Sequence, residues 1–258
     1  MRKLPAPPLW LEIAVVCILL LSFLPLIWNF SPFVLDSEYA QMAFEKLFQR
    51  DDILSALTRS LKIAFMSSVL AIIIASLAAW RSEIHKDNFV AFTLTLSMAL
   101  PEIVVALALL LSFSMIKLPL GMLSLALAHA SFSYAFATLI IRSHCQNFDL
   151  RVFEAAKDLG ANFFQRVWRV TIPLFLTSLL SAFLLCMTLS LDDYLISAFT
   201  SGAGQETLPM KIMGLLRYGF APELNAVSLM LFLTSFVIVS VGVVIALQKR
   251  RKSVSLPI

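Results

Sequence analysis

The chain has 258 residues, of which 60% are hydrophobic and 14% charged, with a mean hydropathy of +0.89. A soluble domain is nearer half apolar and a quarter charged, so the composition excludes a water-soluble globular protein and implies an all-α protein of the membrane. Lys and Arg (20) exceed Asp and Glu (16), but they stand at the edges of apolar segments, where they orient a membrane chain rather than bind nucleic acid.

A bilayer core of about 30 Å takes about 20 apolar residues per helix. The segments 9–28, 60–80, 89–112, 119–141, 172–191 and 226–247 qualify, which predicts a polytopic protein of six transmembrane helices. The first follows a short basic start without a convincing cleavage site and reads as a retained span, with Glu12 close to the interface. The connection after it carries Asp36, Glu38, Glu45, Asp51 and Asp52 and reads as an outer loop.

The third span is interrupted by Pro101, which removes a backbone donor and disturbs the helix, and Glu102 follows it near mid-span. An ionisable group at that depth is costly. It either faces a water-filled path, where it would meet a cation, or is neutral or hydrogen-bonded at a kink. A tight hairpin, Phe113 to Leu118, leads to the fourth span, whose His129 reads as a hydrogen-bonded packing residue. Cys17, Cys145 and Cys186 are too dispersed for a disulfide framework. With His85 and His144 in loops, no metal-binding spacing arises.

Residues 142–171 form a water-compatible island between two apolar segments. Val152, Ala155, Ala156 and Leu159 recur at helical spacing, opposite Arg151, Glu154, Lys157 and Asp158. Gly160 supplies the helix stop. A second pattern follows, with Asn162, Gln165, Arg166 and Arg169 opposite Phe163, Phe164, Val167, Trp168 and Val170. Two amphipathic helices meeting at a glycine form a corner, and a corner is a docking shape.

Asp192-Asp193-Tyr194 closes the fifth span. Acids at a helix C-terminus oppose its dipole, so other roles are open. Either aspartate could cap a short helix from Leu195 to Phe199, the pair could mark the aqueous boundary, or it could attract an amine at the mouth of a path. The basic residues fix a direction. Arg2, Lys3, Arg81, Lys86, Arg142, Arg151, Lys157, Arg166, Arg169 and Lys249 to Lys252 fall on the side of the termini. The other side holds Lys46, Arg50, Arg59, Lys117, Lys211 and Arg217. Both termini and the island are therefore expected on the cytoplasmic side.

Glu154-Ala155-Ala156, three residues, Gly160, nine residues, Val170, one residue and Ile172-Pro173 resemble the EAA loop of permease subunits of bacterial ABC importers. Val170 and Ile172 stand for the usual Ile and Leu. In that family the loop is a coupling helix seated in a cleft of a separate ATPase. The resemblance implies that Glu154, Ala155, Ala156, Asp158, Gly160 and Pro173 form the coupling loop here, within one permease domain (1–258) of the type I importer fold. The chain lacks a G-x-x-x-x-G-K-[ST] phosphate loop. ATP and Mg are thus expected on the partner ATPase, this chain binding no cofactor or metal and being no enzyme itself.

Four further runs are similar to the smaller permease of spermidine/putrescine importers: Pro101 to Val104, Leu189 to Asp193, Thr207 to Ile212 and Arg217 to Ala226. That likeness implies a polyamine path with Glu102, Asp192, Asp193 and Tyr194 as candidates. It implies as partners a second permease in a heterodimer, two ATPase subunits and an extracytoplasmic substrate-binding protein docking near Gly202 to Asn225. An importer of iron, sulfate or another small solute, or an ion-coupled secondary carrier, are the alternatives.

Overall fold

In the computed structural model, residue 24 and residues 30–33, 35–85, 89–145, 151–217 and 222–254 are described. The expected first span, with Glu12 and Cys17, lies outside them but for Leu24, as do Arg2, Lys3, Lys86 and Tyr218 to Ala221. Among the described residues every regular element is helical.

The connection read as an outer loop contains a helix, α1 (Ser37–Phe48). Asp36 caps it, its Oδ1 accepting the Glu38 and Tyr39 N–H groups at 3.0 and 3.1 Å. Ala43 and Leu47 lie one turn apart and are fully buried against Ile53, Leu208, Ala226 and Val227. That buried pair is what makes a polar stretch fold as a helix rather than a loop. Next, α2 (Asp51–His85) runs well beyond the expected 60–80. Asp51 and Asp52 sit in its first turn, where carboxylates meet the positive end of the helix dipole.

The expected third span is two helices, α3 (Phe89–Ala99) and α4 (Glu102–Met115), whose axes turn by 108° between them. Pro101 lacks an N–H and pushes Leu100 out of helical geometry. Its extended backbone (ψ 136°) starts a new helix, with Val104 and Val105 donating to its carbonyl. Segment 89–112 is therefore broken rather than kinked, and Glu102 occupies the first turn of the second half. The turn after α4 closes with Leu118 N–H donating to Phe113 O at 2.9 Å, and α5 (Met122–Cys145) follows.

The island folds as α6 (Arg151–Asp158) and α7 (Phe163–Arg166). Gly160 adopts φ +82°, and Ala161 N–H donates to Ala156 O at 3.0 Å, the glycine-terminated helix end that the sequence implies. Asn162 and Gln165 are no mere surface stripe. Each side chain accepts the other's backbone N–H, at 2.9 and 3.0 Å, which starts α7 in a capping box.

A wide π turn, Val167–Thr171, carries α7 into α8 (Ile172–Asp192). Pro173 thus stands in the first turn of α8, directly after the wide turn. The wide turn suits a proline that can neither donate to nor fit beside the carbonyl one turn earlier. Short helices α9 (Leu195–Thr200) and α10 (Leu208–Leu216) lead to α11 (Pro222–Val254). Helices α2 and α5, and the run Phe163–Asp192 ending in α8, are each long and apolar enough to cross a membrane.

The centre of the molecule is the packing of α2, α5 and α8. Ala71, Ala75 and Ala79 form a stripe at four-residue spacing against Ala130, Ala137, Ala182 and Cys186, all buried. Lipid tails are as apolar as side chains, so helices associate here through close backbone approach, which small residues permit.

Candidate functional site

At the island, Glu154, Ala155 and Asp158 are exposed and Ala156 is half-buried, while Pro173 is exposed at the start of α8. The apolar side of α6 is bare too, with Leu159 at 89% exposure. Beside it Phe163, Phe164 and Trp168 are also uncovered. A short amphipathic helix with its apolar face open has the form of a surface made to be covered.

The four candidate path residues separate into two groups. Asp193 is buried at 8% exposure. Its Oδ1 accepts Ile196 N–H at 3.1 Å and its Oδ2 accepts Ser197 N–H at 3.0 Å, so of the readings open in the sequence it takes the helix-capping one, for α9. His129 Nε2 lies 2.9 Å from Asp193 Oδ2, and His129 Nδ1 lies 2.6 Å from Ser190 Oγ. Ser67 of α2 donates to Ser190 Oγ at 3.2 Å. The Glu102 carboxyl, half-buried at the head of α4, lies beside Asp193. Glu102 and Asp193 are thus brought together from segments far apart in the chain.

Asp192 and Tyr194 are elsewhere. They line an open recess of about 470 Å³ between α8, α10 and α11, whose other walls include Thr188, Ile212, Met213 and Phe232. The recess has one carboxylate, a phenol and a mainly apolar wall, so it suits a cation carried on a hydrocarbon stem.

Charges tie together the ends of α2, α10 and α11 and the loop before α10. Lys211 Nζ lies 2.6 Å from Glu206 and 3.8 Å from Asp52, and Arg50 lies 3.0 Å from Asp52 and 3.8 Å from Glu223. The hydrogen bond to Asp52 raises the pKa of Arg50 above its ordinary value, so that end of the bridge is always charged. Arg59 donates to Glu206 O at 2.7 Å, and Asn225 donates to Tyr39 Oη at 2.8 Å.

Sequence reasoning did not foresee Ser190 and Ser197 as partners of His129, at 2.6 and 3.0 Å, Ser67 as the partner of Ser190, or the α10 and α11 wall of the recess.

Comparison with known proteins agrees with the helices and the island together. Residues 68–253 match the family described as the binding-protein-dependent transport system inner membrane component. The chain is 37% identical over 199 residues to the spermidine/putrescine transport system permease protein PotC of Haemophilus influenzae, covering 76% of this chain and 77% of that one. It is 32% identical over 211 residues to the putrescine transport system permease protein PotI of Escherichia coli K12, covering 78% and 73%. In fold it is similar to the structure of a bacterial ABC transporter involved in the import of the acidic polysaccharide alginate, with a TM-score of 0.67 at 16% identity over 92% of this chain and 98% of that one. The match spans the broken span, the island and the last helix alike, and the chain belongs to the family of inner membrane components of binding-protein-dependent transport systems.

Proposed function

We propose that this chain forms one half of the path of an ATP-driven importer of polyamines, paired with a sister permease, two ATPase subunits and an external binding protein. The observation that carries the substrate class is the recess lined by Asp192 and Tyr194, taken with relatives named for spermidine and putrescine. A polyamine is a chain of methylenes between ammonium groups. Asp192 meets an ammonium, Tyr194 and Phe232 offer ring faces to it, and Ile212 and Met213 accept the methylenes. At about 4 Å an ion pair near a protein surface gains about 4 kcal/mol before desolvation is charged against it. Binding of that strength admits the substrate and still releases it.

Coupling falls to the island. Its small residues Ala155 and Ala156 allow a partner to approach closely, Glu154 offers a charge, and Gly160 turns the chain back toward α8. Closure of the ATPases on bound nucleotide moves α6, and the π turn passes the displacement to α8, at whose far end stand Asp192 and Asp193. The distribution of basic residues supports a cytoplasmic island and cytoplasmic termini.

The test is uptake of labelled spermidine and putrescine by the reconstituted complex. Asp192→Asn is expected to raise the concentration for half-maximal uptake about tenfold, the worth of one charge-assisted contact. An unchanged value would remove Asp192 from the path, and uptake of a metal or an anion by the wild-type complex in place of polyamines would replace the substrate class.

A further inference from the structure

Two neighbouring aspartates end α8 and point to different fates. Asp192 is exposed to the recess, whereas Asp193 is enclosed. A carboxylate out of reach of water keeps its charge only when its oxygens are met by donors. For Asp193 the donors are the Ile196 and Ser197 N–H groups, the Ser197 hydroxyl at 3.2 Å and His129 at 2.9 Å.

The ring of His129 is held from behind. With its Nε2 hydrogen turned to Asp193, Nδ1 accepts the Ser190 hydroxyl, whose oxygen accepts from Ser67. The Ser190 and His129 hydrogens then point toward Asp193, while the Ser67 hydroxyl lies between Ser190 Oγ and Ala64 O at 3.2 and 3.1 Å. His129 is buried, with Phe132, Ser133, Leu189 and Ile196 around it. This histidine therefore cannot meet a passing substrate.

What it can do is hold α9 in place. Ile196 and Phe199 of α9 pack on Ala106 and Leu109 of α4, so a shift of α9 displaces the second half of the broken span and Glu102 with it.

We propose that His129 is a positioning residue: it withholds Asp193 from the substrate and fixes α9 against α4, leaving Asp192 as the aspartate that a cation meets. The part concerning substrate rests on the polyamine reading above; the part concerning α9 does not.

The experiment is a pair of double-mutant cycles in the complete reconstituted complex, read by spermidine and putrescine uptake and by the thermal midpoint of the purified complex. His129→Leu and Asp193→Asn are each expected to raise the half-saturating concentration about tenfold, with a smaller change in maximal rate. Combined, they remain near tenfold, because both break one contact. His129→Leu with Asp192→Asn instead multiplies toward a hundredfold. His129→Gln, whose amide N–H takes the place of Nε2–H, stays within about threefold of wild type.

Multiplying effects for His129 and Asp193, a Gln variant as impaired as the Leu variant, or a fall in maximal rate alone would each overturn the proposal. Should the wild-type complex import neither polyamine, the substrate reading falls by itself. Non-additive midpoints for His129→Leu and Asp193→Asn would then sustain the hold on α9, and additive ones would end it.

Discussion

Gly202 offers a sharp test of the packing between the loop after α9 and the turn before α5. It lies in the loop after α9, against the turn between α4 and α5. A Cβ added there would sit inside contact distance of the Leu120 carbonyl oxygen, 2.9 Å from Leu120 C and 3.3 Å from Gly121 N. These are backbone atoms, which cannot swing away as the tip of a side chain would. The neighbouring hydrogen bond from Ser124 Oγ to Thr200 O, 2.9 Å, fixes the two segments at this separation. Gly202→Ala must therefore push the turn and the loop apart, at a cost at the upper end of the about 1–3 kcal/mol typical of overpacking.

Two controls isolate the cause. Gly204 has φ +71° but open space, so Gly204→Ala is expected to cost about 1 kcal/mol from conformation alone. Gly121 has neither constraint, and Gly121→Ala is expected to be near neutral. The assay is the thermal midpoint of each purified variant in one detergent, with the order Gly202, Gly204, Gly121 from largest loss to smallest. A Gly202→Ala midpoint equal to that of Gly121→Ala would refute the close approach.

Three other outcomes are expected. Gly160→Ala, which forces a side chain to φ +82° at a cost of about 1–2 kcal/mol, should leave the protein in the membrane but abolish uptake and substrate-stimulated ATP hydrolysis; wild-type stimulation would argue against the coupling role of the island. Asn162→Ala removes the capping box and should cost about 1 kcal/mol, read as faster amide exchange through α7 than through α6. Spin labels at Phe92 and Leu111, both exposed, should lie about 16 Å apart across the bend. In Pro101→Ala the distance should lengthen toward the about 28 Å of a straight helix, and no change would mean that the proline does not cause the break.

The local features of this chain are legible in its sequence, and the reason is their range. Gly160 ends α6 and Asn162 begins α7 through bonds that span at most five residues. Pro101 likewise announces a break, but the direction that α4 takes after it does not follow from the proline alone, because Ala106 and Phe113 also pack in one cluster with Ile196 of α9. The fate of Asp193 depends on His129, far back in the chain, so two adjacent and chemically identical residues could not be told apart beforehand. In α1 the signal was present in Asp36, Ala43 and Leu47. A single apolar pair in a charged stretch is a faint pattern until the surface it covers is known.

The alanine stripe of α2 has a mechanical consequence. Ala71, Ala75 and Ala79 press on Ala130, Ala137 and Ala182, and methyl groups have no alternative rotamers through which one helix could slide past another. The three-helix centre is therefore expected to move as one stiff unit. Among the described residues, the wide turn at Val167–Thr171 and the elbow at Pro101 are the breaks in helical geometry nearest to it.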